Sequence, residues 1–243
     1  MIQLLRDDCL QLMPWVPDKS IDLILCDLPY GTTRNKWDSV IDLDKLWLQY
    51  ERIIKDNGAI VLFAQAPFDK VLGSSNLPLL KYEWIWQKDN GTGFLNAKKM
   101  PLKIHENILV FYKNPPVYNP QMRLGFKPYT SKSGRGSSNY GQQVSVVTEN
   151  TGERYPIDVL VFGRDKNKVH PTQKPVALLE YLIKTYINPG QTVLDNCMGS
   201  GSTGVACVNT GRNFIGIEKN DGYFDIAKER IHDAEVQHES VRN

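Results

Sequence analysis

Cysteine and histidine are scarce in this sequence, and their arrangement argues against a metal site. Four cysteines and four histidines are scattered along 243 residues, without a C-x-x-C pair. Zinc sites need several such ligands at close spacing, so we expect no metal. The sequence also lacks a long apolar run, and its amino terminus has no basic segment followed by an apolar one. We therefore expect no membrane contact and no secretory signal, and the unpaired thiols favour a cytoplasmic location.

Net charge is also small, at +2, but it is unevenly distributed. The segment 114–168 has eight basic and four acidic side chains, so the rest of the chain is slightly acidic. The same segment is rich in Pro, Gly and Ser, as in "SKSGRGSSNYG", and has only brief apolar pieces. We interpret it as a loop-rich insertion in a single domain spanning 1–243. Its surplus of positive charge favours a polyanionic partner.

Outside this segment, strand-like apolar runs alternate with helical spacing. Strands are predicted at 21–26, 59–64, 191–195 and 213–218, and helices at 8–15, 42–58, 175–187 and 221–237. Such alternation predicts an α/β fold with a mostly parallel sheet and helices on both faces. Ligands of open sheets of this kind bind at the carboxyl ends of the strands. Residues that follow the predicted strands are therefore the first candidates for a functional site.

A glycine-rich turn follows one of these strands. The stretch "LDNCMGSGSTG" (194–204) has the pattern G-x-G-x-x-G, and Glu218 ends the next strand. Glycines let the backbone approach a ligand closely, and a carboxylate at the next strand end can bind ribose hydroxyls. Asp195 adds a fixed negative charge beside the turn, which suits a cationic ligand better than a pyrophosphate. The turn thus favours S-adenosylmethionine, and a nicotinamide-dependent oxidoreductase is the alternative that shares it.

The tetrapeptide "DLPY", Asp27 to Tyr30, follows the apolar run "IDLILC". An exocyclic amine on a nucleobase is a weak nucleophile, because its lone pair is delocalised into the ring. Two fixed hydrogen-bond acceptors would shift this nitrogen toward sp³ geometry. The Asp27 carboxylate and the Leu28 backbone carbonyl could be those acceptors, with Pro29 restraining the backbone. Tyr30 offers an aromatic face for an extruded base.

Together these motifs resemble the β class of amino-group DNA methyltransferases, which methylate adenine N6 or cytosine N4. "DLPY" resembles the D-P-P-Y of that family, and "DNCMGSG" resembles its D-x-F-x-G-S-G. "HPTQKP" (170–175), "WIWQK" and "HENILVFYK" also match family segments. The resemblance covers nearly the whole chain outside 114–168. It implies a Rossmann-like methyltransferase sheet, permuted so that the catalytic half precedes the cofactor half, with S-adenosylmethionine as methyl donor.

Two positions depart from the family pattern. Leu28 stands where the family has the first proline, which leaves a backbone carbonyl available but makes the loop less restrained. Cys197 replaces the usual Phe of the cofactor motif, which weakens one apolar contact and leaves the glycines intact.

The first position of the catalytic motif bears on the target base. Asp27 in this position favours adenine, since N4-cytosine enzymes of this family more often have Ser there. N4-cytosine methylation is the alternative.

The resemblance also implies roles for individual residues. The catalytic set would be Asp27, Leu28, Pro29 and Tyr30. The cofactor set would be Asp8, Thr172, Lys174, Asp195, Cys197, Gly199, Gly201, Ser202 and Glu218. Within it, Lys174 would pair with the carboxylate at the methionine end. For Asp8, capping of a helix is the alternative.

A target amine in duplex DNA lies inside the base stack, so the base must be flipped out. The candidate DNA-binding residues are Arg34, Lys36, Trp37, Lys98, Lys99, Lys132 and Arg135. The resemblance assigns target recognition to 114–168, which is short, so a short recognition site or a homodimer is expected. A cognate restriction endonuclease of a restriction-modification system is a further expected partner. The remaining alternative is a catalytically inactive DNA-binding relative, although every expected catalytic position is occupied.

Overall fold

The computed structural model describes residues 1–31, 39–132, 146–165 and 173–242. The strands are β1 (Ile2–Leu5), β2 (Ile21–Asp27), β3 (Ile54–Ala64), β4 (Leu80–Thr92), β5 (Lys103–Phe111), β6 (Tyr129–Lys132), β7 (Val147–Asn150), β8 (Val159–Val161), β9 (Thr192–Asp195) and β10 (Asn213–Ile217). The helices are α1 (Cys9–Leu12), α2 (Leu43–Ile53), α3 (Phe68–Ser75), α4 (Val176–Tyr186), α5 (Ser202–Thr210) and α6 (Asp221–Arg242). No helix within these described ranges is long and apolar enough to cross a bilayer.

Two compact units divide the chain. The larger one combines Met1–Asn119 with Asp158–Asn243, and the smaller one is Pro120–Ile157. The larger unit contains an eight-stranded sheet in the order β1-β10-β9-β2-β3-β5-β4-β8. Strand β5 is antiparallel to both of its neighbours, and the other pairs are parallel. The prediction of an α/β fold with a mostly parallel sheet is confirmed.

Strand β2 shows why the sequence folds in this way. Its first six residues, "IDLILC", are all buried, which is typical of a central parallel strand covered on both faces. Leu23 and Leu25 pack with the side chains of α4, α5 and α6. Ile24 and Cys26 pack on the opposite face with α1, α2 and α3. The sheet therefore lies between two helical layers, and its carboxyl edge stays open.

The predicted helix 42–58 ends earlier than its apolar spacing suggests. Asp42 caps the start of α2 by accepting a hydrogen bond from the Lys45 amide at 3.2 Å, and the helix stops at Ile53. Ile54 then pairs with Ile21, whereas the next ladder pair joins Leu23 to Ala59. The intervening "KDNG" has two charged side chains and a turn-forming Asn-Gly pair, so it leaves the helix for an irregular part of β3.

The predicted helix 8–15 is also divided. Helix α1 covers only Cys9–Leu12, and a 3-10 turn with Pro14 continues it through Met13–Trp15. Proline at the start of the turn has no backbone N–H to donate, which interrupts the α-helical hydrogen bonding.

Within the segment 114–168, the structure describes two kinds of ordered piece. Strand β8 joins the main sheet beside β4, and the Asp158 carbonyl accepts from the Ile85 amide at 2.8 Å. The smaller unit contains the antiparallel strand pair β6–β7. The Arg154 guanidinium, beyond β7, lies 5.3 Å from the ring centre of Phe126 and 4.6 Å from that of Tyr129. These exposed cation–π contacts hold the rings and the guanidinium together within Pro120–Ile157.

Candidate active site

A cavity of about 490 Å³ opens at the carboxyl edge of the main sheet. Strands β9 and β2 are parallel neighbours, with Ile24 opposite Leu194, so their last residues lie side by side. The cavity is lined by residues of both sequence motifs: Asp27, Leu28, Pro29, Tyr30, Asp195, Cys197, Gly199, Ser202 and Glu218. The parallel topology thus brings the two motifs together, although about 170 residues separate them.

The glycine turn has the backbone geometry that its sequence predicts. Gly199 and Gly201 have φ angles of 52° and 80°, in the left-handed region that favours glycine. The Gly199 amide donates to Glu218 Oε2 at 3.0 Å, and the Asn220 amide donates to Oε1 at 2.8 Å. A carboxylate has about four lone-pair positions, so Glu218 keeps acceptor capacity for ribose hydroxyls.

Asp195 is buried at the base of this turn, with 3% of its surface exposed. Its Oδ2 accepts from the Thr203 hydroxyl at 2.6 Å, and its Oδ1 accepts from the Cys197 amide at 3.1 Å. Burial raises the pKa of Asp195 to about 6, although the Thr203 hydrogen bond acts in the opposite direction. The carboxylate therefore fixes the turn and changes its charge close to neutral pH.

This raised pKa predicts a pH dependence of cofactor binding. Below pH 6 Asp195 is mostly neutral, and above it the side chain is an anion that attracts the ammonium and sulfonium of S-adenosylmethionine. We expect affinity to increase as the pH rises from 5 to 7, and calorimetry at fixed ionic strength measures it. The Asp195→Asn variant should bind more weakly and lose this dependence. The matched control is Asp225→Asn, at an exposed position of α6; an equal pH dependence in Asp195→Asn would contradict the assignment.

Other predicted cofactor residues have structural contacts of their own. Asp8 caps α1, since its Oδ1 accepts from the Leu10 amide at 2.9 Å, and it also lines the cavity. Cys197 is half-buried and accepts from Asn196 Nδ2 at 3.6 Å. A Cβ on Gly201 would lie 2.9 Å from Ala227 Cβ, so glycine here permits close packing of α6. The capping geometry of Asp8 is thus observed, and its role toward a cofactor stays a prediction.

The "DLPY" motif holds its carboxylate firmly. Asp27 ends β2, and its Oδ1 accepts from the Tyr30 hydroxyl at 2.6 Å. The Tyr30 ring stacks on Phe68 with 5.3 Å between ring centres. The Leu28 side chain is 3% exposed and packs into the core beneath the motif. Burial of Leu28 restrains the loop at the position where the resembled family has proline.

Asp27 also belongs to a chain of alternating charges, which we call the charge cluster (Asp27, Lys174, Glu106 and Lys88). Lys174 and Glu106 are buried, and the other two members are half-buried. Lys174 Nζ forms a short ion pair with Asp27 Oδ2 and lies 3.3 Å from Glu106 Oε2. Lys88 Nζ pairs with Glu106 Oε1 at 2.5 Å. Two ammonium groups thus balance two carboxylates. This compensation allows four charged groups to lie close together where access to water is limited.

The cluster shifts the pKa values of its members. Burial raises the pKa of Asp27, and the Lys174 ammonium opposes this effect. For Glu106, burial is outweighed by Lys174 and Lys88, which lower its pKa. Burial disfavours the charged form of Lys174, but Asp27 and Glu106 raise its pKa above the ordinary value. Lys174 is therefore a permanent cation against the Asp27 carboxylate.

Sequence reasoning places Lys174 beside the carboxylate of the cofactor, whereas the structure pairs it with two carboxylates of the protein. It also misses Lys88 and Glu106 altogether. One signal was available, because Glu106 is a charged residue directly before the apolar run "NILVF" of β5.

The sequence analysis also missed Arg230. Its guanidinium donates to the Ser200 carbonyl at 2.5 Å and to Ser202 Oγ at 3.3 Å. This contact joins α6 to the glycine turn.

The structure describes three of the predicted DNA-binding residues. Lys98 and Lys99 are exposed in the connection between β4 and β5. Lys132 is exposed at the end of β6, in the smaller unit. The remaining predicted site residues lie outside the described residues: Arg34, Lys36, Trp37, Arg135 and Thr172. In the part of the chain that the structure describes, no group of three or more His, Cys, Asp or Glu side chains is placed to hold a metal.

The sequence is similar to a protein-family model and to individual characterised proteins. A family model described as DNA methylase matches residues 21–229. The chain is 30% identical to the DNA adenine methyltransferase YhdJ of Escherichia coli K12, over 94% of this chain and 82% of that protein. It is also 30% identical to the type II methyltransferase M.HpaI of Haemophilus parainfluenzae, over 94% and 74% of the two chains.

Solved structures are similar in fold. The M1.HpyAVI–SAM complex has a TM-score of 0.67 and 26% identity, with 95% of this chain and 100% of that chain covered. The PvuII DNA methyltransferase, described as cytosine-N4-specific, has a TM-score of 0.68 at 14% identity, with 98% and 92% covered. The second likeness concerns the fold alone.

Proposed function

This chain belongs to the DNA methylase family, and from that premise we propose that it transfers the methyl group of S-adenosylmethionine to the N6 amine of adenine in DNA. One observation carries the proposal: a single cavity holds both the Asp27–Tyr30 motif and the glycine turn. Adenine is favoured by Asp27 in the first motif position. It is also favoured by the 30% identity to a protein named as a DNA adenine methyltransferase.

The catalytic motif would hold the target amine. The Asp27 carboxylate accepts from Tyr30 through Oδ1 and from Lys174 through Oδ2. Asp27 lines the cavity, and its remaining lone pairs would accept an amino proton of the target base. The Leu28 carbonyl would be the second acceptor. With both protons held, the nitrogen lone pair is directed out of the ring plane, and the amine becomes a better nucleophile.

The residues of the glycine turn fit an adenosine-containing cofactor. Gly199 gives the backbone close access, Glu218 is oriented by two amide hydrogen bonds, and Asp195 contributes a buried carboxylate. These residues would hold S-adenosylmethionine, which supplies an activated methyl group when bound. Position is then the main contribution of the protein, because the two motifs fix donor and acceptor in one cavity.

We assign Lys174 to positioning of Asp27, and this assignment predicts the behaviour of Lys174→Met. Loss of the ammonium frees the carboxylate to rotate and raises its pKa further. We expect turnover to fall by about 10²-fold, with the acid limb of the pH–rate profile moved to higher pH. Affinity for S-adenosylmethionine should stay within a few-fold.

Two further variants separate chemistry from folding. Lys174→Arg keeps the charge and should retain part of the turnover, and thermal unfolding of each variant reports its stability. Lys184→Met, on the exposed face of α4, is the matched control. A large loss of cofactor affinity in Lys174→Met, with an unmoved pH profile, would instead support pairing of Lys174 with the methionine carboxylate.

The proposed reaction is tested with tritiated S-adenosylmethionine and unmethylated plasmid DNA. Digestion to nucleosides followed by chromatography should place the label in N6-methyladenine. Label in N4-methylcytosine would replace adenine by cytosine in the proposal. Absence of label from DNA, with a properly folded protein, would contradict the activity and favour an inactive relative.

The sequence-based hypotheses of a homodimer, a cognate restriction endonuclease and a cytoplasmic location remain part of this proposal. The similarity to a protein named as a type II methyltransferase supports the hypothesis of a cognate nuclease. Plasmid DNA modified by the protein should then resist an endonuclease that reads the same sequence. Target recognition by 114–168 is also retained, supported by its basic surplus.

A further inference from the structure

The connection between β4 and β5 has an apolar tip. We call residues 93–102 the tip loop. Leu95 is fully exposed and Phe94 is 70% exposed, and Lys98 and Lys99 follow them in the same loop. Burial of a side chain of this size is worth about 1.5–3 kcal/mol. An exposed Leu95 does not gain this free energy on folding, and two adjacent exposed apolar side chains on one turn make Leu95 and Phe94 candidates for contact with another molecule.

The tip loop is ordered by its own hydrogen bonds. Gly93, with φ 91°, begins the 3-10 turn Phe94–Asn96, and the Asn96 amide donates to the Gly93 carbonyl at 2.9 Å. The Lys99 amide donates to the Asn96 carbonyl at 2.8 Å. At the base of the loop, Thr92 pairs with Lys103. The two apolar side chains thus project from a preformed turn, so little conformational entropy is lost on binding.

The position of the loop connects it with the active site. Strand β4 runs parallel to β2 and β3, because it is antiparallel to β5, which is antiparallel to β3. Its last residue, Thr92, therefore lies at the same edge of the sheet as Asp27, and both line the cavity. The tip loop continues from that edge.

We propose that Leu95, supported by Phe94, is a wedge that enters the DNA duplex where the target base leaves the stack. This inference rests on the proposed function. Extrusion of a base costs a few kcal/mol of stacking and pairing, and an inserted apolar side chain offsets part of that cost. Lys98 and Lys99 would contact the neighbouring phosphates. Lysine is depleted in protein–protein interfaces, so an apolar tip beside two lysines fits DNA better than a second copy of this chain.

The test compares two duplexes of the same sequence. The modified base is first mapped on plasmid DNA treated with the wild-type protein. One synthetic duplex then has this base correctly paired, and the other has it opposite an abasic position, where extrusion is easier. We expect Leu95→Ala to reduce kcat/KM by about tenfold on the paired duplex, a change of about 1.4 kcal/mol. On the abasic duplex its kcat/KM should stay within about twofold of wild type.

Two controls accompany the test. Leu48→Ala removes a leucine that is 69% exposed on α2 and should change neither duplex. The Lys98→Gln, Lys99→Gln double variant should reduce the log–log salt slope of DNA affinity by about one unit for each lost phosphate contact, equally on both duplexes.

Several outcomes would overturn the wedge. One is an equal loss on both duplexes, or no loss on either, in Leu95→Ala. Another is a change of oligomeric state by sedimentation in that variant, which would assign the tip to a contact between copies. If the wild-type protein modifies no DNA, the proposed function fails and the wedge fails with it. Failure of the wedge alone shows as an active wild-type protein whose Leu95→Ala variant does not distinguish the two duplexes.

Discussion

The Asp27→Ala variant should lose methyl transfer by about 10³-fold while S-adenosylmethionine affinity stays within a few-fold. The physical reason is that Asp27 offers its free lone pairs to the target amine, whereas the glycine turn binds the cofactor. Removal of one preorganised hydrogen-bonding group at a reacting centre typically costs 10²–10³-fold in turnover. Single-turnover methylation of plasmid DNA measures the first quantity, and calorimetry measures the second.

A control for folding follows from the charge cluster. Asp27→Ala leaves Lys174 and Lys88 with only Glu106 as partner, and an uncompensated buried charge is destabilising. The Asp27→Ala, Lys174→Met double variant leaves Lys88 paired with Glu106, one cation with one anion. We expect it to recover thermal stability without recovering turnover. Normal turnover in either variant would remove Asp27 from the chemistry.

The second large effect is expected for Gly199→Val. A β-branched residue resists the φ angle of 52° that Gly199 adopts. Gly199 also lines the cavity, so an added side chain would compete with the cofactor for space. We expect S-adenosylmethionine affinity to fall more than about 100-fold. The fold should persist, since backbone strain of this kind costs about 1–3 kcal/mol.

Gly211→Val is the matched control for this variant. Gly211 also has a positive φ, 70°, but it ends α5 and does not line the cavity. A comparable loss of stability with unchanged affinity is expected there. Equal affinity losses in both variants would mean that strain, rather than the position of Gly199 in the turn, decides binding.

Local sequence was sufficient to locate the two motifs of the site. "DLPY" and "DNCMGSG" each stand at the end of an apolar run that predicts a strand, and parallel strands end at the same edge. Helix α2 shows the limit of such reasoning. Its apolar spacing continues to Ile54, and only the pairing of Ile54 with Ile21 reveals where the helix ends.

The charge cluster shows the same limit more clearly. Lys88 and Glu106 meet because β4 and β5 pair in one particular register, and Lys174 reaches them from a segment 68 residues further along than Glu106. No periodicity within any of these segments encodes the contact. Resemblance to a family gave Lys174 a plausible partner, but the ion pairs depend on tertiary packing.

One cavity would set the methyl donor, held by the glycine turn, against the Asp27 carboxylate. A crystal structure of the protein with S-adenosylhomocysteine measures this directly. We expect ribose hydroxyls within hydrogen-bond distance of Glu218 and a sulfur atom that faces Asp27 and Tyr30. Ribose bound away from Glu218, or a sulfur directed away from the "DLPY" motif, would contradict it.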